Sequence, residues 1–268
     1  MIKHVLITGD VHGEFKSRLT KVKELMSDYT PEETAIIILG DVGLNFYLSK
    51  HDWKNKHIVS KFGYTVYCLR GNHEQRPSLV GEKMKFVYDE FVHGYVWMEE
   101  EFPQIKYFDD KVAEYEIMDK KILTIPGAYS VDKWYRLQND WPWFAQEQLS
   151  AEEMQYAEKL VAGKYYDFVF SHTCPVTWEP TDLFLSMIDQ STVDKTMEVW
   201  MTKIEETFLW KHWLFGHFHA DRIERPYVEQ FYEEIEDLNT IIERWKKFGH
   251  TGELDWWLPR SPSFYMGV

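Results

Sequence analysis

Five short apolar runs punctuate the chain, and all five end in the same way. "HVLITGD" (4–10), "AIIILGD" (35–41), "VYCLRGNH" (66–73), "FVFSH" (168–172) and "HWLFGHFH" (212–219) pass from apolar residues into Gly or Ser and then into Asp, Asn or His. Uninterrupted apolar runs of this length, closed by turn residues, suit strands buried on both faces. Between the first two, Phe15, Leu19, Val22, Leu25 and Met26 recur at helical spacing. Strand, helix and strand predict a parallel pair joined by a crossover.

Further along, rough alternation at Val112, Tyr115 and Ile117 followed by a second apolar run into a Pro-Gly turn predicts an antiparallel hairpin within 107–127. "SAEEMQYAEKLVAG" (150–163) opens on a capping Ser, carries early glutamates and closes on Gly, which predicts a helix. One or two more helices are expected within 182–208. "VEQFYEEIEDLNTIIERWKKFG" (228–249) sets Phe231, Ile235, Leu238, Ile242 and Trp245 on one stripe with acids opposite. It predicts a single solvated amphipathic helix beginning at about 227, followed by an aromatic tail, "LDWWLPRSPSFYMGV", that either makes a subunit contact or folds back. With no repeat and no low-complexity linker, residues 1–268 are expected to form a single domain.

Hydrophobic residues make up 44% of the 268 and aromatics 17%, the composition of a globular chain. The formal net charge of -14 changes the range of partners. Such a surface repels polyanions, so general nucleic-acid binding is disfavoured, as is binding to anionic membranes. The two cysteines, Cys68 and Cys174, both adjoin strand-like runs and are expected as buried thiols rather than a disulfide. The apolar part of the amino terminus is too short for a signal peptide, and "AIIIL" is too short for a membrane span. A cytoplasmic location is the expectation.

The candidate chemistry lies just past the strands. Asp10 and His12 follow one strand two residues apart, and His217 and His219 follow another; in an extended chain that spacing points both side chains the same way. Asp41, Asn72 and His172 follow three further strands. Carboxyl ends of strands in open sheets gather around a crevice where ligands bind. Any one of these residues alone reads as an ordinary turn residue. Together, four histidines, two aspartates and an asparagine form a mixed nitrogen and oxygen set suited to manganese, iron or zinc more than to calcium. The lack of thiolates argues against a closed structural zinc site.

The ordered blocks "GDVHG", "GD", "GNHE", "SH" and "GHFH" resemble the five-block signature of the calcineurin-like metallophosphoesterases, and they span about four fifths of the chain. The resemblance implies an α/β fold, a double β-sandwich flanked by α-helices in four αββα layers. It implies two divalent or trivalent metal ions, with manganese foremost and iron or zinc as the other choices. Asp10, His12 and His219 would hold one ion, Asn72, His172 and His217 the other, and Asp41 would bridge them. A shared carboxylate can hold two cations about 3.5–4 Å apart, the span of an in-line phosphoryl displacement. Water caught between the ions becomes hydroxide near neutral pH and would be the nucleophile. By the same resemblance His73 is the general acid for the leaving oxygen. Glu74 is expected to orient a neighbouring imidazole.

The "GNHE" block is close to that of Ser/Thr protein phosphatases, whose second block runs Gly-Asp-x-x-Asp-Arg-Gly and supplies an Asp partner for the catalytic His and an Arg for phosphate. This chain has Leu44 and Asn45 at those places, so phosphate contact must come from elsewhere. Residues 126–150, "PGAYSVDKWYRLQNDWPWFAQEQLS", resemble an insert in bacterial and phage members of the superfamily with unassigned substrates. There Lys133 and Arg136 could clamp phosphate. Tyr129, Trp134, Trp141 and Trp143 either stack on a base or sugar or form a packed minor core. Arg70 is expected to pin its loop. The expected activity is hydrolysis of a phosphate ester in a phosphorylated small molecule, nucleotide or phosphopeptide, as a phosphatase or phosphodiesterase. A nuclease-type phosphodiesterase is the alternative that the acidic composition opposes, and a non-catalytic metal-binding interaction scaffold is the one that His73 opposes. Oligomeric state is left open.

Overall fold

The computed structural model describes residues 2–251, so the aromatic tail lies outside the described residues. The chain opens as β1 (His4–Thr8), α1 (Phe15–Leu25), β2 (Thr34–Ile38), α2 (Lys50–Phe62) and β3 (Thr65–Cys68). It continues through β4 (Met84–Asp89), β5 (Gly94–Glu99), β6 (Ile105–Tyr107), β7 (Ala113–Ile117), β8 (Lys120–Ile125), α3 (Lys133–Gln138), α4 (Ala151–Val161) and β9 (Tyr165–Ser171). Then come α5 (Thr196–Ile204), β10 (Leu209–Phe215), β11 (Arg222–Arg225), β12 (Val228–Gln230), β13 (Ile235–Asp237) and α6 (Leu238–Thr251).

Two mixed sheets result. One has seven strands in the order β13-β1-β2-β3-β6-β5-β4, and the other has six in the order β11-β12-β10-β9-β8-β7. Alternate residues of the apolar runs enter different cores, which is why the runs lack polar interruptions. Val5, Ile7, Ala35 and Ile37 meet Phe168, Phe170 and Leu214 between the sheets. Leu6, Ile36 and Ile38 face outward under Phe15, Leu19 and Val22 of α1 and Val59 of α2. On the far side Val169, Trp213 and Phe215 meet Met154, Ala157 and Val161 of α4 and Met197, Met201 and Ile204 of α5. Three cores between four layers give the αββα arrangement.

The local signals behave as their chemistry predicts. Ser150 and Glu153 form a reciprocal capping box at the start of α4. β7 and β8 form the expected antiparallel hairpin. Cys68 and Cys174 are buried free thiols. Among the described residues no helix is long and apolar enough to cross a membrane.

Residues 228–249 depart from expectation. Instead of one helix from about 227, they make β12, β13 and then α6 from Leu238. The sheets account for this: β13 pairs antiparallel with β1 and β12 pairs parallel with β10, covering main-chain groups that would otherwise be unpaired beside the core. Nor is α6 a merely solvated helix. Leu238, Ile241 and Trp245 enter the core between the sheets, and the Trp245 indole N–H donates to Glu229.

His212 on β10 is 1% exposed, stacks on Phe168 at 4.7 Å between ring centroids, and has no hydrogen-bond partner at Nδ1. Burial, reinforced by the nearby Lys211 charge, pushes its imidazole down from 6.5 to about 4. As pH falls below 6.5 the unfolded chain gains a proton that the fold refuses until about pH 4, so stability falls across that window by about 3 kcal/mol. His212→Leu is expected to remove this part of the acid sensitivity, read as a smaller difference between urea unfolding free energies at pH 7 and pH 4.5.

Candidate metal centre

Register brings the strand ends level. Thr8 lies beside Ile38 and Ile38 beside Cys68 in one sheet, while Ser171 lies beside Phe215 in the other, all in parallel pairs. The residues just beyond therefore emerge on one rim. Two contacts join the sheets there: His217 N donates to Asp10 Oδ1 at 3.1 Å, and His172 Nδ1 lies 2.8 Å from the Leu39 carbonyl.

The loops reach this rim through left-handed backbone. His12, Asp41, His217 and His219 have φ of 49°, 46°, 71° and 52°. The paired residues thus converge from tight turns and not by the extended two-residue spacing expected from the sequence. Asp and His tolerate this region better than most residues, and such strain persists where surrounding structure enforces it. Space is equally constrained: a Cβ on Gly40, whose φ is +103°, would sit 2.0 Å from His172 Nδ1, and one on Gly71 would sit 2.1 Å from Asp41 Oδ1.

All seven sequence-selected donors come together. Ligand atoms within 4.8 Å of one another define three groups: Asp10, His12 and His219; Asp41, His172 and His217; and His12, Asp41 and His73. Asn72 joins the second group, with Oδ1 2.9 Å from His172 Nε2. Each carboxylate divides its oxygens. Asp10 Oδ1 accepts from His217 N, while Oδ2 faces His219 Nε2 at 3.2 Å and His12 Nε2 at 4.0 Å without an aligned hydrogen bond. Asp41 Oδ1 accepts from His73 N at 2.8 Å and lies 3.3 Å from His172 Nε2, while Oδ2 is 3.9 Å from His12 Nε2.

Electrostatics keep both carboxylates ionised. Burial pushes both carboxyls up, but His219 and His172 around Asp10, and His172, His73 and His12 around Asp41, outweigh it and hold both below the usual range, Asp41 well below. Burial pushes His12 down to about 4 and His217 to about 3, so both imidazoles are neutral near pH 7. His172 is also pushed down by burial, yet Asp41 carries it up to about 9. Ionised oxygens, an amide oxygen and imidazole nitrogens crowded together, with one buried Asp10 oxygen lacking an aligned hydrogen bond, fit metal ions chemically. The His172 Nδ1 contact to Leu39 O turns Nε2 toward Asn72 and Asp41.

The insert at 126–150 adds residues that sequence reasoning missed. Asn72 Nδ2 donates to Ser130 Oγ at 3.0 Å, and Ser130 donates in turn to Glu147. Asp132 Oδ2 lies 3.7 Å from His73 Nε2, and its other oxygen pairs with Arg136 at 3.0 Å. On another side of His73 the Phe46 ring stacks at 5.8 Å. Arg136 is 0% exposed, with its guanidinium between Asp132 and Glu147. Lys133 Nζ lies 4.0 Å from the centroid of the half-buried Trp143 and 5.3 Å from that of the exposed Trp134. Tyr129 is half-buried and Trp141 exposed.

Glu74 requires a correction. Its carboxylate accepts from the main-chain N–H groups of Gly71, Val42 and Gly43 and orients no imidazole. Three nearby N–H donors of two loops outcompete a single ring for a buried acceptor. Arg70 does pin its loop, donating to the carbonyls of Glu147 and Gly71.

A family description, calcineurin-like phosphoesterase, matches residues 3–221. No curated protein matches the sequence. Among solved structures the chain is similar to TT1561 of Thermus thermophilus, at 10% identity over 88% of this chain and 98% of that one, with a TM-score of 0.43. It is also similar to the phosphopantetheinyl hydrolase PptH from Mycobacterium tuberculosis, at 11% identity over 98% of both chains, with a TM-score of 0.38.

The crowding at Gly40 can be tested against Gly81, which also has positive φ (+135°) but nothing within 4 Å of an added Cβ. Gly40→Ala is expected to cost about 2–4 kcal/mol in urea denaturation, and at least about 1 kcal/mol more than Gly81→Ala, because only the former drives into His172. Equal losses would show that backbone strain alone selects glycine at position 40.

Proposed function

Because the chain belongs to the calcineurin-like phosphoesterase family, whose members carry out metal-dependent phosphoester hydrolysis, we propose that it hydrolyses a phosphate ester at a dinuclear metal centre with His73 as general acid. The observation that carries this reading is the position of Asp41, which groups with His172 and His217 on one side and on the other with His12, itself a member of the group with Asp10 and His219. Asp10, His12 and His219 would hold one ion, Asn72, His172 and His217 the other, and Asp41 both. Manganese is the foremost candidate, with iron or zinc also suited to these donors. When bound, the ions would polarise phosphoryl oxygens and supply a water-derived nucleophile.

The protein's own side chains have separable tasks in this proposal. Ser130 takes the Asn72 amide hydrogen and thereby turns Oδ1 toward His172. The Leu39 carbonyl fixes the His172 ring. Asp132 faces His73 Nε2 and orients the imidazole for proton donation, a task for which this chain has Leu44 where Ser/Thr phosphatases have an aspartate. Burial pushes His73 down, while Asp41 and Asp132 act upward and Arg136 downward. Lys133 is the proposed direct phosphate contact. Arg136, expected from the sequence to clamp phosphate with Lys133, has no solvent-facing surface and instead holds Asp132. The substrate would be a phosphorylated small molecule, nucleotide or phosphopeptide. The net charge of -14 disfavours a nucleic-acid track.

The third donor group makes His73 a rival ligand, and one experiment separates the roles. Protein prepared with manganese is expected to hold two ions per chain by elemental analysis, and Asp41→Asn to lower occupancy at both positions together. One ion with full activity would overturn the dinuclear reading. His73→Asn is expected to keep both ions while slowing hydrolysis of alkyl or seryl phosphates by roughly 10²- to 10⁴-fold. Nitrophenyl esters, whose leaving group needs little protonation, should be affected much less. Loss of metal would make His73 a ligand, and an equal defect on all esters would remove it from the acid role.

A further inference from the structure

β4 ends the seven-stranded sheet, and among the described residues no strand pairs with its outer side. Six residues long, free of proline and paired with β5 in unbroken register from Met84–Glu99 to Asp89–Gly94, it has none of the usual devices that blunt an edge by shortening or bulging. The apolar cover also stops short of it. Met84 and Trp97 still touch the core beneath α1 and α2, whereas Phe86, Tyr88 and Tyr95 on the same face are 44%, 48% and 55% exposed. Their rings are continuous: Phe86 lies 4.8 Å from Trp97 and 5.3 Å from Tyr95, and Tyr88 lies 5.5 Å from Tyr95. Aromatic side chains of this kind are enriched at protein interfaces.

We infer that the chain forms a two-fold dimer by antiparallel pairing of β4 with the β4 of a second copy, centred on Val87. The strand's charge sequence selects a copy of itself as the occupant. "KMKFVYDE" (83–90) is basic at its start and acidic at its end, so antiparallel self-pairing opposes unlike charges and parallel pairing opposes like ones. Registers must also keep exposed face with exposed face, since a one-residue slip exchanges the faces. Centring on Val87 meets both conditions. It sets Phe86 against the copy's Tyr88 twice and brings the exposed Lys83 and Lys85 beside the copy's exposed Glu90 twice. Asp89 is 6% exposed and already paired with Lys106 and Tyr67, so the acid the strand offers is Glu90. A two-fold contact uses the same patch on both chains and closes at two.

Light scattering on the full chain at roughly 50 μM is expected to report twice the 32.2 kDa chain mass. The double variant Phe86→Lys with Tyr88→Lys changes only exposed side chains and is expected to return the single-chain mass with an unchanged far-ultraviolet spectrum and hydrolysis rate. Lys85→Asp, which places an acid beside the copy's Glu90, is a milder second variant expected to weaken the dimer about tenfold. A wild-type mass of one chain at that concentration overturns the inference. So does a dimer that survives both variants, which would place the contact elsewhere, such as residues 252–268.

Discussion

Two buried carboxylates each tie down a distant loop with one oxygen and turn the other toward imidazoles, and the rest of the structure depends on that division. Asp10 holds the main-chain N–H of His217, which fixes the loop after β10 to the loop after β1 across the gap between sheets. Asp41 holds the N–H of His73, which fixes the loop after β3 to the loop after β2. A carboxylate at this depth is stable only with such partners. The parallel register brings strand ends level, but level ends alone would leave irregular loops free to splay. Glu74 completes the arrangement by gathering three N–H groups from the two neighbouring loops.

Around this frame the insert at 126–150 takes a supporting part. Ser130 reaches Asn72, Asp132 reaches His73, and Glu147 joins Ser130 to Trp143 and lies near Arg136. The segment therefore stabilises the orientation of two rim residues from behind while presenting aromatic surface outward. In the proposed mechanism an aspartate has moved from the second signature block to a different part of the chain without losing access to the same histidine. Proximity to an imidazole is a spatial requirement, and several chain segments can meet it.

The parts of the fold legible in the sequence were those governed by neighbours within a turn or a strand. Apolar runs buried on both faces, the stripe of α1 and the Ser150–Glu153 box all express local periodicity. The 228–249 segment misled because its stripe suits a helix, while the unpaired sides of β1 and β10 lie far away in sequence and impose strands on its first half. At the rim, the order of Asp, Asn and His after successive strands was enough to name the seven residues that converge. Ser130 and Asp132 were not legible as partners of Asn72 and His73, since nothing within the insert records which loop it will meet. Glu74 looked like an imidazole partner because sequence adjacency to His73 hides the main-chain groups that surround it.

The left-handed backbone at His12, Asp41, His217 and His219 restricts what could replace them. Side chains that accept this conformation readily are glycine, asparagine, aspartate and histidine, and the last three also supply hard or borderline metal-binding atoms. Cysteine brings a softer thiolate but no short polar group able to bond its own backbone there, and β-branched residues fare worse still. An attempt to retune the rim toward thiophilic metals would therefore meet resistance from the main chain before coordination chemistry came into play. Exchanges among aspartate, asparagine and histidine would meet far less, which makes that small alphabet the natural range of variation for this surface.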